Sequence, residues 1–279
     1  MSLDKHSLLV KLTIRQWNGF RKDRKVSKRV DEEYQTSGGA GNYNKRLLDK
    51  AVLAPTQQIA ARARADHKFF TMPWCYDGVD LLPSKLYFEY TERMRGHQDY
   101  FAVAVSNLVQ QYPIHKANQY MKLGALFDPS EYPVQDELGN KFGFDVKFFP
   151  VPSTGHFVID SEQVDMARVK EELTRSLSAT HTAALEGLYA RVNNTINHLY
   201  ERLADPKNVF HDTLIDNVMQ LVSVLPALNI FEDERLTRAT REMEDKLFAV
   251  DVQRLRDDPV FRAKIANETQ EISAILSGK

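Results

Sequence analysis

With 279 residues, 43 % of them apolar and 27 % charged, the chain has a globular composition, and no apolar run approaches the roughly 20 residues of a membrane helix. One cysteine, Cys75, excludes an internal disulfide and fits a reducing cytoplasm, and MSLDKHSLLVKLTIRQW does not read as a secretory leader. The net charge of −1 hides a gradient: residues 1–70 hold 15 Lys and Arg against 7 Asp and Glu, so the surface that would attract a polyanion lies near the start.

In chain order, LLVKLTIRQW alternates apolar and polar residues and predicts a strand over 7–17. KVSKRVDEEYQ places Val26, Val30 and Tyr34 four apart, a short helix that stops at the flexible loop TSGGAGN. A helix follows from Pro55 to Phe70, with Pro55 in its first turn and Ile59, Ala63 and His67 on one face. TMPWCYDGVDLLP reads as a loop whose Trp74, Tyr76, Leu81 and Leu82 pack onto the core. From Ser84 to Tyr112 the apolar positions predict an amphipathic helix with Phe88 on its core face, ending before Pro113, and residues 114–127 predict a second, short one. KFGFDVKFFPVP alternates again, and HFVID supplies one more strand; these two are expected to pair with the first strand.

After Asp160 the period changes to three and four. From Val169 to Leu203 apolar residues recur without an intervening proline, which predicts one helix over about 163–203. Helices over 207–225, 233–254 and 259–276 follow, the first and last opened by Asp205-Pro206 and Asp258-Pro259. The expected fold class is α+β and mostly helical. A small antiparallel sheet with inserted helices occupies an N-terminal domain, residues 1–160, and a long helix with a helical bundle occupies residues 161–279. So long a helix needs the bundle or a second subunit to cover its apolar stripe.

No complete catalytic or cofactor motif is present, and no cofactor is expected. The eight histidines lack metal-ligand spacing, and no G-x-S-x-G surrounds a serine. Cys75 would act as a nucleophile only with a histidine brought to it in space. SGGAGNYNKR has the glycines of a phosphate-cradling loop without the P-loop order, and offers Tyr43, Lys45 and Arg46. Asp145-Val146-Lys147, with Asp128 or Asp136 upstream, has the order of a Mg²⁺-dependent nuclease; Asp145 and Lys147 are equally the outer face of an alternating strand. Asp128, Asp145 and Lys147 are the metal-site alternative.

The strongest signal is RQWNGFRKDRKVSKR. Between Lys11 and Arg29 stand eight basic residues and one acidic, with Trp17 and Phe20 among them. Single-stranded nucleic acid needs cations along its backbone and aromatic faces for its bases. The expected contacts are therefore Lys11, Arg15, Arg21, Lys22, Arg24, Lys25, Lys28 and Arg29 for phosphates, joined by Lys45 and Arg46. Trp17, Phe20 and Tyr43 are the expected stacking faces. The competing reading is that both early rings cap the core and the cations form a solvated edge.

LLVKLTIRQWNGFRKDRKVS, FGFDVKFFPVP and the helical second half together resemble an uncharacterised protein family of phage and bacterial genomes. The residues that carry the resemblance are Leu12, Ile14, Trp17, Gly19 and Lys22, then Phe142, Phe144 and Val146. Genes for a MoxR-type AAA+ ATPase and a von Willebrand A protein often neighbour that family. The resemblance implies phage biology and carries over no catalytic residue. The expected function is a non-enzymatic phage-type DNA-binding protein, for single strands, in replication or recombination, within the host cytoplasm. The alternative is an oligomeric assembly or adaptor protein that pairs through its long helix and partners an AAA+ ATPase.

Overall fold

The computed structural model describes residues 3–75, 77–152, 166–205, 207–248 and 250–277. The fold is α+β and mostly helical, with a four-stranded antiparallel sheet. Contacts divide the chain into two compact units interleaved in sequence: one takes 1–11, 68–90 and 147–279, the other 12–67 and 91–146. The expected boundary at 160, and the expected strand over 156–160, lie outside the described residues.

After one helical turn, α1 (Leu3–His6), the alternating segment forms β1 (Ser7–Arg15). A hairpin of β2 (Phe20–Lys22) and β3 (Asn44–Arg46) encloses helix α2 (Arg24–Glu33), and α3 (Lys50–Phe70) follows. Pro55 stands inside α3, not in its first turn, because the apolar seam reads further back. Leu53, Thr56, Ala60, Ala63, His67 and Phe70 are all buried at steps of three and four. The stretch expected to be a loop contains β4 (Met72–Pro73) and β5 (Asp80–Pro83). Strand β5 pairs antiparallel with β1, Ser7 facing Pro83 and Val10 facing Asp80, and β4 pairs antiparallel with β5. Strands of two and four residues with consecutive buried leucines, Leu81 and Leu82, carry no period-two signal.

The next helix, α4 (Tyr87–Leu123), absorbs both helices expected over 84–127 and runs through Pro113. A proline inside a helix orphans the carbonyl four residues earlier, here that of Val109. Gln135 Nε2 donates to that oxygen at 2.9 Å, which removes the reason to stop. Phe88 is 83 % exposed and not part of the core. The chain turns through α5 (Gln135–Leu138) into β6 (Gly143–Pro150), giving the sheet order β4-β5-β1-β6.

Helix α6 (Met166–Ala204) matches the expected long helix. Its seam, Thr180, Ala184, Leu188, Val192, Ile196, Leu199 and Leu203, is buried. Within the first unit α6 packs on α7 (Thr213–Leu228) and α10 (Pro259–Ser277). The helix expected from 207 starts six residues later, because Lys207 N–H turns back onto Asp205 Oδ1 at 2.9 Å. The helix expected over 233–254 is two, α8 (Glu234–Leu247) and α9 (Val252–Asp257), since Asp251 caps a new start by accepting from Gln253 N–H at 2.8 Å. Asp258 caps α10 as expected, accepting from the amides of Val260 and Phe261.

Candidate nucleic-acid interface

The basic segment folds as one small substructure of the second unit. Strands β2 and β3 pair antiparallel, Phe20 facing Arg46, Arg21 facing Lys45 and Lys22 facing Asn44. Asp23 then starts α2: its carboxylate accepts from Val26 N–H at 3.0 Å, and its own N–H donates to Tyr43 O at 2.9 Å, so one residue ends the strand, caps the helix and holds the hairpin. Ser27 ties the helix to the returning chain by donating to Asp23 O at 2.7 Å and accepting from Tyr43 N–H at 2.9 Å.

Entry into the hairpin depends on Gly19. Its φ is +65°, and a Cβ there would lie 2.8 Å from Leu53 Cδ1. Left-handed backbone costs an L-residue roughly 1–2 kcal/mol before any clash. Gly19→Ala is expected to destabilise the second unit by about 2 kcal/mol in urea unfolding; a change below about 0.5 kcal/mol would contradict this placement.

Of the expected phosphate contacts, Arg21, Lys22, Arg24, Lys25, Lys28, Arg29 and Arg46 are exposed. On a helix of 3.6 residues per turn, positions 24, 25, 28 and 29 share one side. The pattern runs against the helix dipole, with cations at the N-terminal end, and Asp31, Glu32 and Glu33 at the other. Lys28 forms an ion pair along the helix, with Glu32 at 3.4 Å, both in water. Beside this side lies a groove of about 970 Å³ walled by Phe20, Arg21, Lys22, Arg24 and Lys25, and by residues 125–129 opposite.

Lys45 faces the other way. Its side chain is 3 % exposed and donates to Leu126 O at 2.7 Å, with Glu131 at 2.6 Å and Asp23 at 3.3 Å. Burial pulls this ammonium's pKa down, but hydrogen bonds and attraction from Glu131 and Asp23 outweigh it, leaving the pKa above the ordinary lysine value. For Asp23 the Val26 amide is the largest influence and, with Lys45, outweighs burial, holding the carboxyl below its ordinary range. Lys45 therefore holds the hairpin together and is withdrawn from the expected contact set.

The three rings separate in the same manner. Trp17 is half-buried among the core residues of the second unit, edge-on to Tyr112 with 6.4 Å between centroids. That is packing, not a platform for a base. Phe20 is 41 % and Tyr43 39 % exposed, and the Arg46 guanidinium lies 4.7 Å over the Phe20 ring. Arg15 is exposed on β1 with its guanidinium laid across Gly143 of β6, apart from the hairpin, and Lys11 is exposed but belongs to the first unit.

The glycine loop is occupied by the protein itself. Asp31 accepts from Thr36 Oγ1 at 2.7 Å and from Gly39 N–H at 3.0 Å, and Gly38 and Gly39 adopt the positive φ that turns these amides inward. The Thr36 hydroxyl first, then the Gly39 amide, hold the Asp31 carboxyl below its ordinary range. The expected phosphate cradle encloses an internal carboxylate.

The nuclease residues do not assemble in this manner. Asp128 accepts from Ser130 N–H at 2.9 Å and Ser130 Oγ at 2.7 Å, capping a helical turn. Asp145 and Lys147 are exposed along β6, and Asp136 is exposed on α5. Among the described residues no three His, Cys, Asp or Glu side chains gather as metal ligands. Cys75 Sγ lies 3.2 Å from Ser176 Oγ. No helix among the described residues is long and apolar enough to cross a membrane.

Sequence reasoning missed the carboxylates that organise this site. Asp23 carried a readable signal, an N-cap residue directly before a helical pattern. Glu131 carried none, because only the fold brings it to Lys45. No protein-family model, curated protein or solved structure matches the chain.

Proposed function

We propose that the chain is a non-enzymatic nucleic-acid-binding protein that takes single-stranded DNA across the exposed side of α2 and the β2–β3 hairpin. The observation that carries this reading is the set of seven exposed cations, Arg21, Lys22, Arg24, Lys25, Lys28 and Arg29 on one short stretch of chain and Arg46 on the strand paired with it. Such density repels itself in the free protein and gains most from a polyanion, whose condensed counterions are released on binding. Phe20 and Tyr43, part exposed on the same hairpin, supply ring faces for bases. The phage-type replication or recombination setting comes from the family resemblance and belongs to the same proposal.

Titration of a labelled oligonucleotide at several salt concentrations tests it. With about five phosphates engaged, the log–log salt slope for a single strand is about −3.5. Arg24→Glu/Lys25→Glu/Arg29→Glu should weaken binding at least about 100-fold and flatten that slope by about 2. Phe20→Ala should cost roughly five- to tenfold, the low end of a lost stacking face. Absence of low-salt binding, or a salt slope the triple variant leaves unchanged, would refute the assignment.

A further inference from the structure

Helix α4 has two apolar faces. Phe101, Leu108 and Tyr112 are buried in the core of the second unit. The opposite side carries Tyr100, Val103, Ile114 and Met121, which are 69, 59, 63 and 75 % exposed. Together with the exposed Asn107 these fall at steps of three, four and seven, the repeat of a helix-pairing seam. Alongside the seam, α3 forms the second wall of an open groove of about 780 Å³, where Val52, Ile59 and Val103 are joined by the polar Arg62, His97 and His115. An apolar strip in this register on the outside of a helix marks an interaction surface, where scattered apolar residues would not.

We infer that this face is the contact between two copies of the chain, α4 against α4 in antiparallel order about Asn107. Three observations select a second copy as the occupant. A carboxamide is both donor and acceptor, so Asn107 at the centre of the seam is satisfied by the partner subunit's Asn107, whereas an apolar partner helix would bury it unpaired. Tyr100 and Ile114 stand seven residues to either side, so a two-fold axis through Asn107 sets each ring against Ile114 of the partner subunit. Arg93, seven residues further and ion-paired with Asp66 at 3.6 Å, then lays its stem on Met121 of the partner subunit, while a parallel pairing would set it against the partner subunit's Arg93. The size of the face sets the strength. A seam from Gly96 to Met121 is about 38 Å long, and a strip one helix wide hides about 400 Å² per copy. With part of the α3 wall the total comes near 1,000 Å², the lower limit for a specific interface, and so gives a weak dimer that depends on concentration.

Sedimentation equilibrium of the full chain from about 1 µM to about 1 mM is the test, a range that brackets such a dimer. The expected result is a mass that rises from monomer to dimer. Val103→Glu/Ile114→Glu should weaken association at least about 100-fold, with unchanged circular dichroism and melting, because both sites are exposed in the single chain. A second measurement does not depend on that variant: Asn107→Cys in a Cys75→Ser background should give a disulfide-linked dimer on mild oxidation, and Lys141→Cys in the same background should not. Monomer throughout the range, a dimer that the Glu variant leaves intact, or cross-linking equal at the two positions would overturn the inference.

Discussion

Replacing Lys45 with methionine is expected to destabilise the second unit by about 3–5 kcal/mol, the usual result of leaving buried carboxylates without their cation. The side chain is 3 % exposed, and Asp23 and Glu131 are 13 and 16 % exposed, so water replaces the lost cation only in part. Lys45→Met/Glu131→Gln should recover part of the loss, since one orphaned charge is removed with its partner. Urea unfolding followed by tryptophan emission in a Trp74→Phe background measures both, because the remaining Trp17 packs in the same unit. The pH dependence follows from the two shifts. The lowered Asp23 carboxyl contributes stability above the ordinary carboxyl range and loses it as pH falls through its folded value. The raised Lys45 ammonium contributes fully below the ordinary lysine value and loses its share as pH rises through its folded value. Stability of the hairpin is therefore greatest across the broad interval between them. A loss under about 1 kcal/mol for Lys45→Met would contradict the buried network.

Arg262→Met is expected to cost about 3–4 kcal/mol in the first unit. This guanidinium is 7 % exposed and sits at the end of α6. It donates to the carbonyl oxygens of Leu203 and Asn208 at 3.0 Å and of Arg202 and Asp205 at 2.6 Å. Arg202 and Leu203 supply last-turn carbonyls that a helix cannot satisfy itself, Asp205 and Asn208 belong to the chain just beyond it, and a cation there also complements the helix dipole. Methionine keeps most of the stem volume and removes every donor, so the change reads out the capping bonds and not a cavity. Arg262→Lys should recover less than half, because an ammonium cannot reproduce the planar fork that reaches four oxygens. Equilibrium unfolding monitored by helical ellipticity checks both, and equal stability for the lysine and arginine forms would overturn the capping account.

Elements whose signal is local and periodic were legible in the sequence. The alternation in LLVKLTIR, the seam of α6 and the Asp258 cap of α10 each depend on neighbours in the chain, and each is present in the fold. What escaped depended on distant partners. Pro113 stops a helix unless something supplies a donor to Val109, and Gln135, which does so, lies beyond the helix itself. A lysine in a run of cations reads as a phosphate contact until Glu131 and Asp23 are found around it. Trp17 shows the same limit from the apolar side, since only the position of Tyr112 decides whether its ring faces water. For the candidate site, the location and charge of the surface were readable, and the division between contacting and supporting residues was not.

The interleaving of the two units also bears on the order in which they can form during synthesis. Every residue of the second unit lies before position 147, whereas the first unit combines residues 1–11 and 68–90 with everything from 147 onward. A ribosome that has released about half the chain has delivered all of the hairpin, α2 and the seam of α4. The early strands β4 and β5 have each other and β1 as partners by then, while the C-terminal helices of their unit are still to come. Chains generally fold as sequence emerges. The basic hairpin can thus be complete on a nascent chain while α6 and α10, joined by Arg262, are still being made.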